Sequence, residues 1–309
     1  MIDLTQLPAP AVIEELDFET IYANKLARFQ SLYPDYSAAL ESDPVVKLLE
    51  LAAYDEMMLR ARINDAAKAT MLAYATGADL DNRAADYGVT RLLITPADPD
   101  ATPPVDAEWE DDDRLRYRAQ MAMEGITVAG SRGAYLFHAL SASANVADAF
   151  IDSRGFGPLR VDSPAPGEIH VWLLDVRADG VPDQDLLDAV AASLSAEDVR
   201  PLNDTVTPKA GKPVTFGIHA QLEFTEGGEA LSGGLSGAQE RVEALLASAR
   251  KLGTGHAASG LPTSALITAI RVPGVHDVTL LSPLTTIAGG VGEFPLCTVI
   301  TLDKKVPLN

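Results

Sequence analysis

Five histidines and one cysteine are the side chains best suited to hold a metal or attack a substrate: His138, His170, His219, His256, His276 and Cys297. Their spacing suits neither task. No two histidines stand as HxH or HExxH, and no Cys or Asp recurs at the interval of a zinc ligand set. A single cysteine also rules out an intramolecular disulfide or a Cys-rich zinc site. Gly211-Lys212 looks like the end of a phosphate-binding loop, but Pro213 replaces the Ser or Thr that would reach magnesium. Val206 stands where the first glycine must let the backbone cradle phosphate. Gly253-Thr254-Gly255 has neither the preceding strand nor the third glycine of a dinucleotide turn. No G-x-S-x-G elbow occurs. The acidic run 106–113 offers carboxylates to a hard cation, yet a solvated loop would lose much entropy in closing on one, so it is read as solvated. His170 and His219 are read as strand residues at the surface or core edge. Catalytic, cofactor-binding and metal-ligating residues are therefore expected to be none.

Composition narrows the classes further. The 309 residues carry 24 basic and 44 acidic side chains, a formal net charge of −20. Such a surface repels phosphate backbones and anionic lipid heads, so neither nucleic acid nor membrane is expected as a partner. Hydrophobic residues make up 47%, enough for a sizeable core and roughly two domains. The first residues lack the basic and apolar segments of a signal peptide, and no apolar run reaches the ~18 residues of a membrane span. Synthesis and folding in cytoplasm are expected.

The first sixteen residues, with Pro8 and Pro10, read as an extended arm. Asp17 caps a helix carrying Phe18, Ile21, Tyr22, Leu26, Phe29 and Leu32, which Pro34 stops. Asp43 caps the next, with Pro44 at its first position, and the helix is expected to run to about Tyr74. A short helix follows from Asp79 to Tyr87. Residues 95–113 hold four prolines and eight acidic residues with no basic one, which reads as an acidic linker or long exposed loop. Asp111-Asp112-Asp113 then opens a helix through Leu115 and Met121, its carboxylates complementing the helix dipole.

A block from Arg132 to Thr207 reads helix, strand, strand, helix, strand. Its elements are Gly133–Ser143, Val146–Asp152, Glu168–Leu174, Asp183–Leu194 and Thr205–Thr207, with a Gly/Pro-rich loop over 155–167. Glu168–Leu174 is apolar enough to be buried on both faces. Val214–Thr225 alternates strictly and is expected as a half-exposed strand. The glycines of 227–237 suggest a flexible turn or loop. Helices over Gln239–Lys251 and Thr263–Val272, and strands over Val275–Leu281 and Leu296–Leu302, complete the chain. Val146, Asp148, Ile151 and Ser153 match Val275, Asp277, Leu280 and Ser282 at a constant offset of 129 residues. A local duplication is one explanation.

The helix from Asp43 carries the widest apolar arc. At about 100° per residue, Val45, Leu48, Leu49, Ala52, Leu59, Ile63, Ala66 and Ala67 share a face that Val46, Ala53, Met57 and Met71 widen sideways. Lys47, Glu50, Asp65 and Lys68 occupy the far side. So broad a stripe wants more than one neighbour. Two readings stand: an intramolecular helical bundle, or a surface shared with partner chains.

Three stretches resemble the baseplate J-like family of contractile-tailed phages and phage-tail-like particles. The first is Leu48-Leu49-Glu50-Leu51 with Ala78-Asp79-Leu80-Asp81 and Tyr87-Gly88-Val89-Thr90-Arg91. The second is Asp112-Asp113-Arg114-Leu115-Arg116 leading to Gly133-Ala134-Tyr135 and His138-Ala139-Leu140-Ser141. The third is Val199-Arg200-Pro201-Leu202-Asn203-Asp204-Thr205-Val206. Their order spans nearly the whole chain. The resemblance implies a structural wedge subunit of a tail baseplate, in the virion, assembled in the host cytoplasm. It implies a second copy of the chain, neighbouring wedge proteins, and central hub and tail proteins as partners in a six-fold ring. It supplies no catalytic residue and matches no shared pattern in 95–113. With it, Leu48, Leu49, Ala52, Leu59, Ile63 and Ala66 become the candidate partner interface, and residues 89–113 a candidate compliant joint.

The expected fold is α+β: an N-terminal helical region followed by two small α+β units with short mixed sheets. The expected divisions are 1–94 helical, 95–113 linker, 114–210 central and 211–309 C-terminal. The competing functional reading is a small-molecule-binding α+β protein or metabolic enzyme. Self-association with tail proteins, against thermal stabilisation by a small ligand, would separate the two.

Overall fold

The computed structural model describes residues 2–8, 10–36, 42–155, 159–177, 179–253 and 260–305. His256, Thr254-Gly255 and Phe156-Gly157-Pro158 of the expected loop lie outside the described residues. The fold is α+β, as the sequence predicts, with N-terminal helices followed by short mixed sheets. Contacts divide the chain into two compact units: residues 1–91 with 110–120, and residues 92–109 with 121–309.

In the first unit, helix α1 (Phe18–Leu32) begins at Asp17, whose carboxylate accepts from the amides of Glu19 and Thr20. Helix α2 (Pro44–Ala69) begins at Asp43, whose side chain accepts from Val45 N, and Pro44 sits where its missing N–H goes unneeded. The expected extension to Tyr74 is not made. The Thr70 hydroxyl donates to Ala67 O, and a guanidinium, that of Arg116, takes the carbonyls of Leu72 and Ala75. These bonds draw the chain out of the helical ladder and into turns. Helix α3 (Gly77–Ala85) follows. Its Leu80 and Ala84 are buried, as are Val89, Leu115 and Ala119.

The second unit contains strands β1 (Leu93–Thr95) and β2 (Glu108–Trp109), which pair antiparallel with Leu93 opposite Trp109. Asp98 and Val105 exchange backbone hydrogen bonds of 2.9 and 3.0 Å between them and the tip. The acidic stretch is thus largely exposed over 96–109, as its composition predicts, but hairpin-paired, and Glu110 beyond the hairpin is buried against that expectation. Helix α4 (Asp112–Gly125) has its first turns in the first unit and its end in the second.

Helix α5 (Arg132–Ala142), capped by the Ser131 hydroxyl, and helix α6 (Gln184–Leu194), capped by Asp183, pack on a sheet ordered β3-β4-β5. Strand β3 (Val146–Ser153) runs antiparallel to β4 (Glu168–Asp175), and β4 parallel to β5 (Thr205–Ala210). Tyr135, Leu140, Ile151, Val171, Leu173 and Val190 form the core between helices and sheet. On the other sheet face, Trp172 and Leu174 join Leu252, Val291 and Phe294. Strand β4 is therefore covered on both faces, as its composition predicts.

Strand β6 (Lys212–Phe224) is central to a second sheet, between β8 (Val275–Ser282), antiparallel, and β10 (Glu293–Lys304), parallel. Its alternation is realised: Ile218, Ala220 and Leu222 are buried beside Val242, Leu266 and Ile270. Helices α8 (Gly234–Ala249) and α9 (Thr263–Ile270) supply that cover. The expected loop over 227–237 is instead a short helix, α7 (Gly228–Ser232), followed by the first turn of α8. Gly227, Gly233 and Gly234 have φ of 70°, 77° and 63°, so these glycines break one helix from the next rather than prevent helix formation. Two further strands, β7 (Gly260–Leu261) and β9 (Ile287–Ala288), pair antiparallel.

Candidate partner interface

Helix α2 is covered on one side and open on the other. Val46 and Ala53 are buried on the covered side, where α1 packs, and Asn64 is buried with them. The arm before α1 is stitched to the same side. Asn64 Oδ1 accepts from Glu14 N at 3.1 Å while its Nδ2 donates to Glu14 O at 2.8 Å. Lys25 reaches Glu56 at 2.6 Å, and Arg60 binds both Glu56 and Glu14 at 2.7 and 2.8 Å. These cations hold the Glu56 carboxyl below its ordinary range, Lys25 first and then Arg60.

On the open side, three of the expected interface residues stand well out of the fold: Leu48 is 65% exposed, Leu59 66% and Ile63 61%. Ala66 is exposed as well, whereas Leu49 and Ala52 are half-buried. The structure adds Leu51, Tyr54 and Met58, each at least half exposed. Their signal was in the sequence, since they continue the arc past Leu48. The internal neighbour, α1, takes the edge that the sequence places at Val46, Ala53 and Met57. The remaining face presents six large apolar side chains to solvent over a single helix, a patch of the kind that marks interaction surfaces.

The first family-like stretch and the Asp112–Arg116 part of the second are brought together in the first unit, while Gly133–Ser141 of the second lies in helix α5 of the second unit. Arg91 donates from Nε to Asp81 and from Nη2 to Asp112, both at 2.7 Å, and from Nη1 to Glu110 O at 2.5 Å. Asp112 also accepts from Gly77 N at 3.0 Å. Burial pushes the Asp112 carboxyl up, but the Gly77 amide and the guanidinium groups of Arg91 and Arg116 outweigh it and hold the group below its usual range. Behind this cluster Glu110 is 1% exposed and accepts from Arg118 at 2.5 Å, with Arg114 Nε 3.3 Å away. Burial pulls both arginines below their ordinary pKa, against the pull of Glu110. Their ordinary value is high enough that both stay charged. The two ends of the 89–113 segment are thus fastened within this unit, Thr90 O to Arg118 and Glu110 O to Arg91.

The third stretch forms a turn in the second unit. The Tyr135 hydroxyl donates to Asp204 Oδ2 at 2.7 Å and Arg200 Nη1 to Asp204 O at 2.8 Å. Thr205 N donates to Gly167 O at 2.7 Å, which starts the β4–β5 ladder. Burial and the neighbouring carboxylate push the Tyr135 hydroxyl far above its usual pKa, so it remains a donor. This turn carries Leu202 at its tip, 96% exposed.

Of the histidines, His170 is buried beside Asp152, and His219 pairs with Asp303 at 2.9 Å on the open face of the second sheet. Burial first, then Lys209, lowers the His170 pKa. Gly211 donates its amide to Leu173 O at 2.8 Å, so the glycine-lysine pair serves the passage from β5 to β6. Among the described residues no group of three or more His, Cys, Asp or Glu is arranged to hold a metal ion, and no helix is long and apolar enough to cross a membrane.

These features belong to a known class. The N-terminal domain model of the baseplate J-like family matches residues 41–98, which hold α2, α3 and Arg91, and the family's central domain model matches residues 127–210, which hold the first sheet and the Arg200–Val206 turn. The chain belongs to the baseplate J-like family, whose members are structural proteins of phage baseplates. It is similar to Baseplate protein J of Escherichia phage P2, with 41% identity over 305 residues, 96% of each chain.

Proposed function

We propose that this chain is a wedge subunit of the baseplate of a contractile phage tail or a phage-tail-like particle, acting as a structural part and not as an enzyme. In this reading it resides in the virion tail after assembly in the host cytoplasm. Its partners are a second copy of itself, neighbouring wedge proteins, and the hub and tail proteins that the wedges surround as a ring. It needs no cofactor and binds neither nucleic acid nor membrane, consistent with its charge of −20.

The observation that carries the reading is the open face of α2. Leu48, Leu59 and Ile63 are exposed on a helix that is already capped and already pinned on its other side. Internal packing accounts for the Val46–Ala53 edge and leaves this one for a partner. Leu59→Asp or Ile63→Asp should abolish co-purification with wedge partners while the chain stays folded, because neither side chain supports the core. Native co-purification yield from either folded variant would reject the assignment.

A further inference from the structure

The open face of α2 is complementary to itself, and this sharpens the assembly reading on which it rests. Seen down the helix at about 100° per residue, Leu48, Leu51, Asp55, Met58, Leu59, Arg62, Ala66 and Ala69 lie opposite the buried edge of Val46, Ala53 and Asn64. Two charges stand inside this otherwise apolar strip, Asp55 and Arg62. Both are exposed, and neither makes an ion pair among the described residues, in contrast to Lys47, Glu56 and Arg60 on the same helix. They lie seven residues apart, close to two full turns, and so on the same line.

A parallel copy of the helix in register would set Asp55 against Asp55 and Arg62 against Arg62. An antiparallel copy related by a two-fold axis between Met58 and Leu59 sets each Asp55 level with the Arg62 of the other chain. The same operation places Leu48 level with Ala69 and Leu51 level with Ala66, a large side chain beside a small one at each end. Met58 and Leu59 then surround the axis. Such an interface is isologous, as a closed two-fold dimer requires. Opposed charges within an apolar seam fix register and orientation, since any slip leaves them unpaired against hydrocarbon.

We propose that the free chain self-associates through α2 as an antiparallel two-fold pair, with two reciprocal Asp55–Arg62 ion pairs. This pairing keeps the apolar strip covered until baseplate proteins displace it.

Charge reversal tests the pairing with the intact chain. Asp55→Lys and Arg62→Glu should each weaken self-association at least tenfold by analytical ultracentrifugation. The double variant D55K/R62E should restore it to within about threefold. Orientation is read by oxidising mixtures of two cysteine variants in a Cys297→Ser background. Leu51→Cys and Ala66→Cys should cross-link to each other and not to themselves. A monomer at high concentration, failure of the double variant to recover, or self-cross-linking of Leu51→Cys would each overturn the proposal. Wedge capture, measured separately with Leu59→Asp, stands or falls on its own. Its loss in a chain that does not pair antiparallel would reject this inference and leave the assembly reading intact.

Discussion

Arg118 is a buried cation of the first unit. It is 3% exposed, and Glu110, which accepts from it, is buried with it. Arg118→Met should take from the desolvated Glu110 carboxylate the cation it binds, at a cost of about 3–5 kcal/mol in denaturant unfolding. Changing Glu110 to Gln in the same chain should recover part of that loss. Asp112 makes the pH prediction. Its carboxyl is held below the ordinary value, so its stabilising contribution is fully present above about pH 4 and lost as pH falls through the lower folded value. The Asp112→Asn chain should therefore melt lower at neutral pH and lose less on acidification than the parent, as followed by circular dichroism. In the second unit Tyr135→Phe removes the donor to Asp204 and should cost about 1–3 kcal/mol, loosening the Pro201–Asp204 turn. None of these three roles is legible in the sequence. Arg91, Arg118, Tyr135 and Asp204 find partners 8 to 69 positions away, and no local pattern states which carboxylate a given guanidinium or hydroxyl will meet. What the sequence does give is absence: the missing ligand spacings and the broken phosphate loop are readable residue by residue.

At the scale of elements, local chemistry is much more legible. Asp17, Asp43 and Asp183 cap the helices their positions predict, because a cap depends only on neighbours two or three residues away. Strands β4 and β6 follow from composition and alternation. Helix ends were less readable: α2 stops five residues short because a distant arginine claims carbonyls past its end. The wide arc of α2 could be drawn from the sequence, but not the division of its edges between α1 and solvent. That division depends on where a non-local neighbour, α1, is placed, and it leaves the expected Leu49 and Ala52 half-buried and adds Leu51 and Met58. Because Leu59 lies in solvent in the single chain, Leu59→Asp should change the stability of the dilute, unpaired chain by no more than about 0.5 kcal/mol and leave helical content unchanged, while Val46→Ala, on the edge facing α1, should cost about 1 kcal/mol or more. Equal losses from the two substitutions would mean that the open face is used within the chain.

For the whole molecule, the two sheets have the same local plan and different connections. In each, a central strand has an antiparallel edge on one side and a parallel edge on the other, and the antiparallel edge strand follows a helix. That shared helix–strand step is what the offset of 129 residues detects. Yet β3 leads directly into its sheet's central strand, whereas β8 is followed by strands that place β10 on the far edge. A simple tandem copy of the whole unit does not explain both. The two sheets also share the apolar cluster of Trp172, Leu252, Val291 and Phe294, with Gly292 backbone laid so closely on Trp172 that a side chain there would meet the indole. The sequence separates the sheets into distinct stretches, but this shared packing joins positions about 120 residues apart and has no local signal.

A baseplate part that works by assembly should have its α2 face covered by partners in the finished tail. Electron microscopy of particles assembled with the chain tests it most directly. Density for the chain is expected in a ring at the tail base, with Leu48, Leu59 and Ile63 buried against other subunits. Complete particles lacking the chain, or a ring in which that face remains bare to solvent, would contradict it.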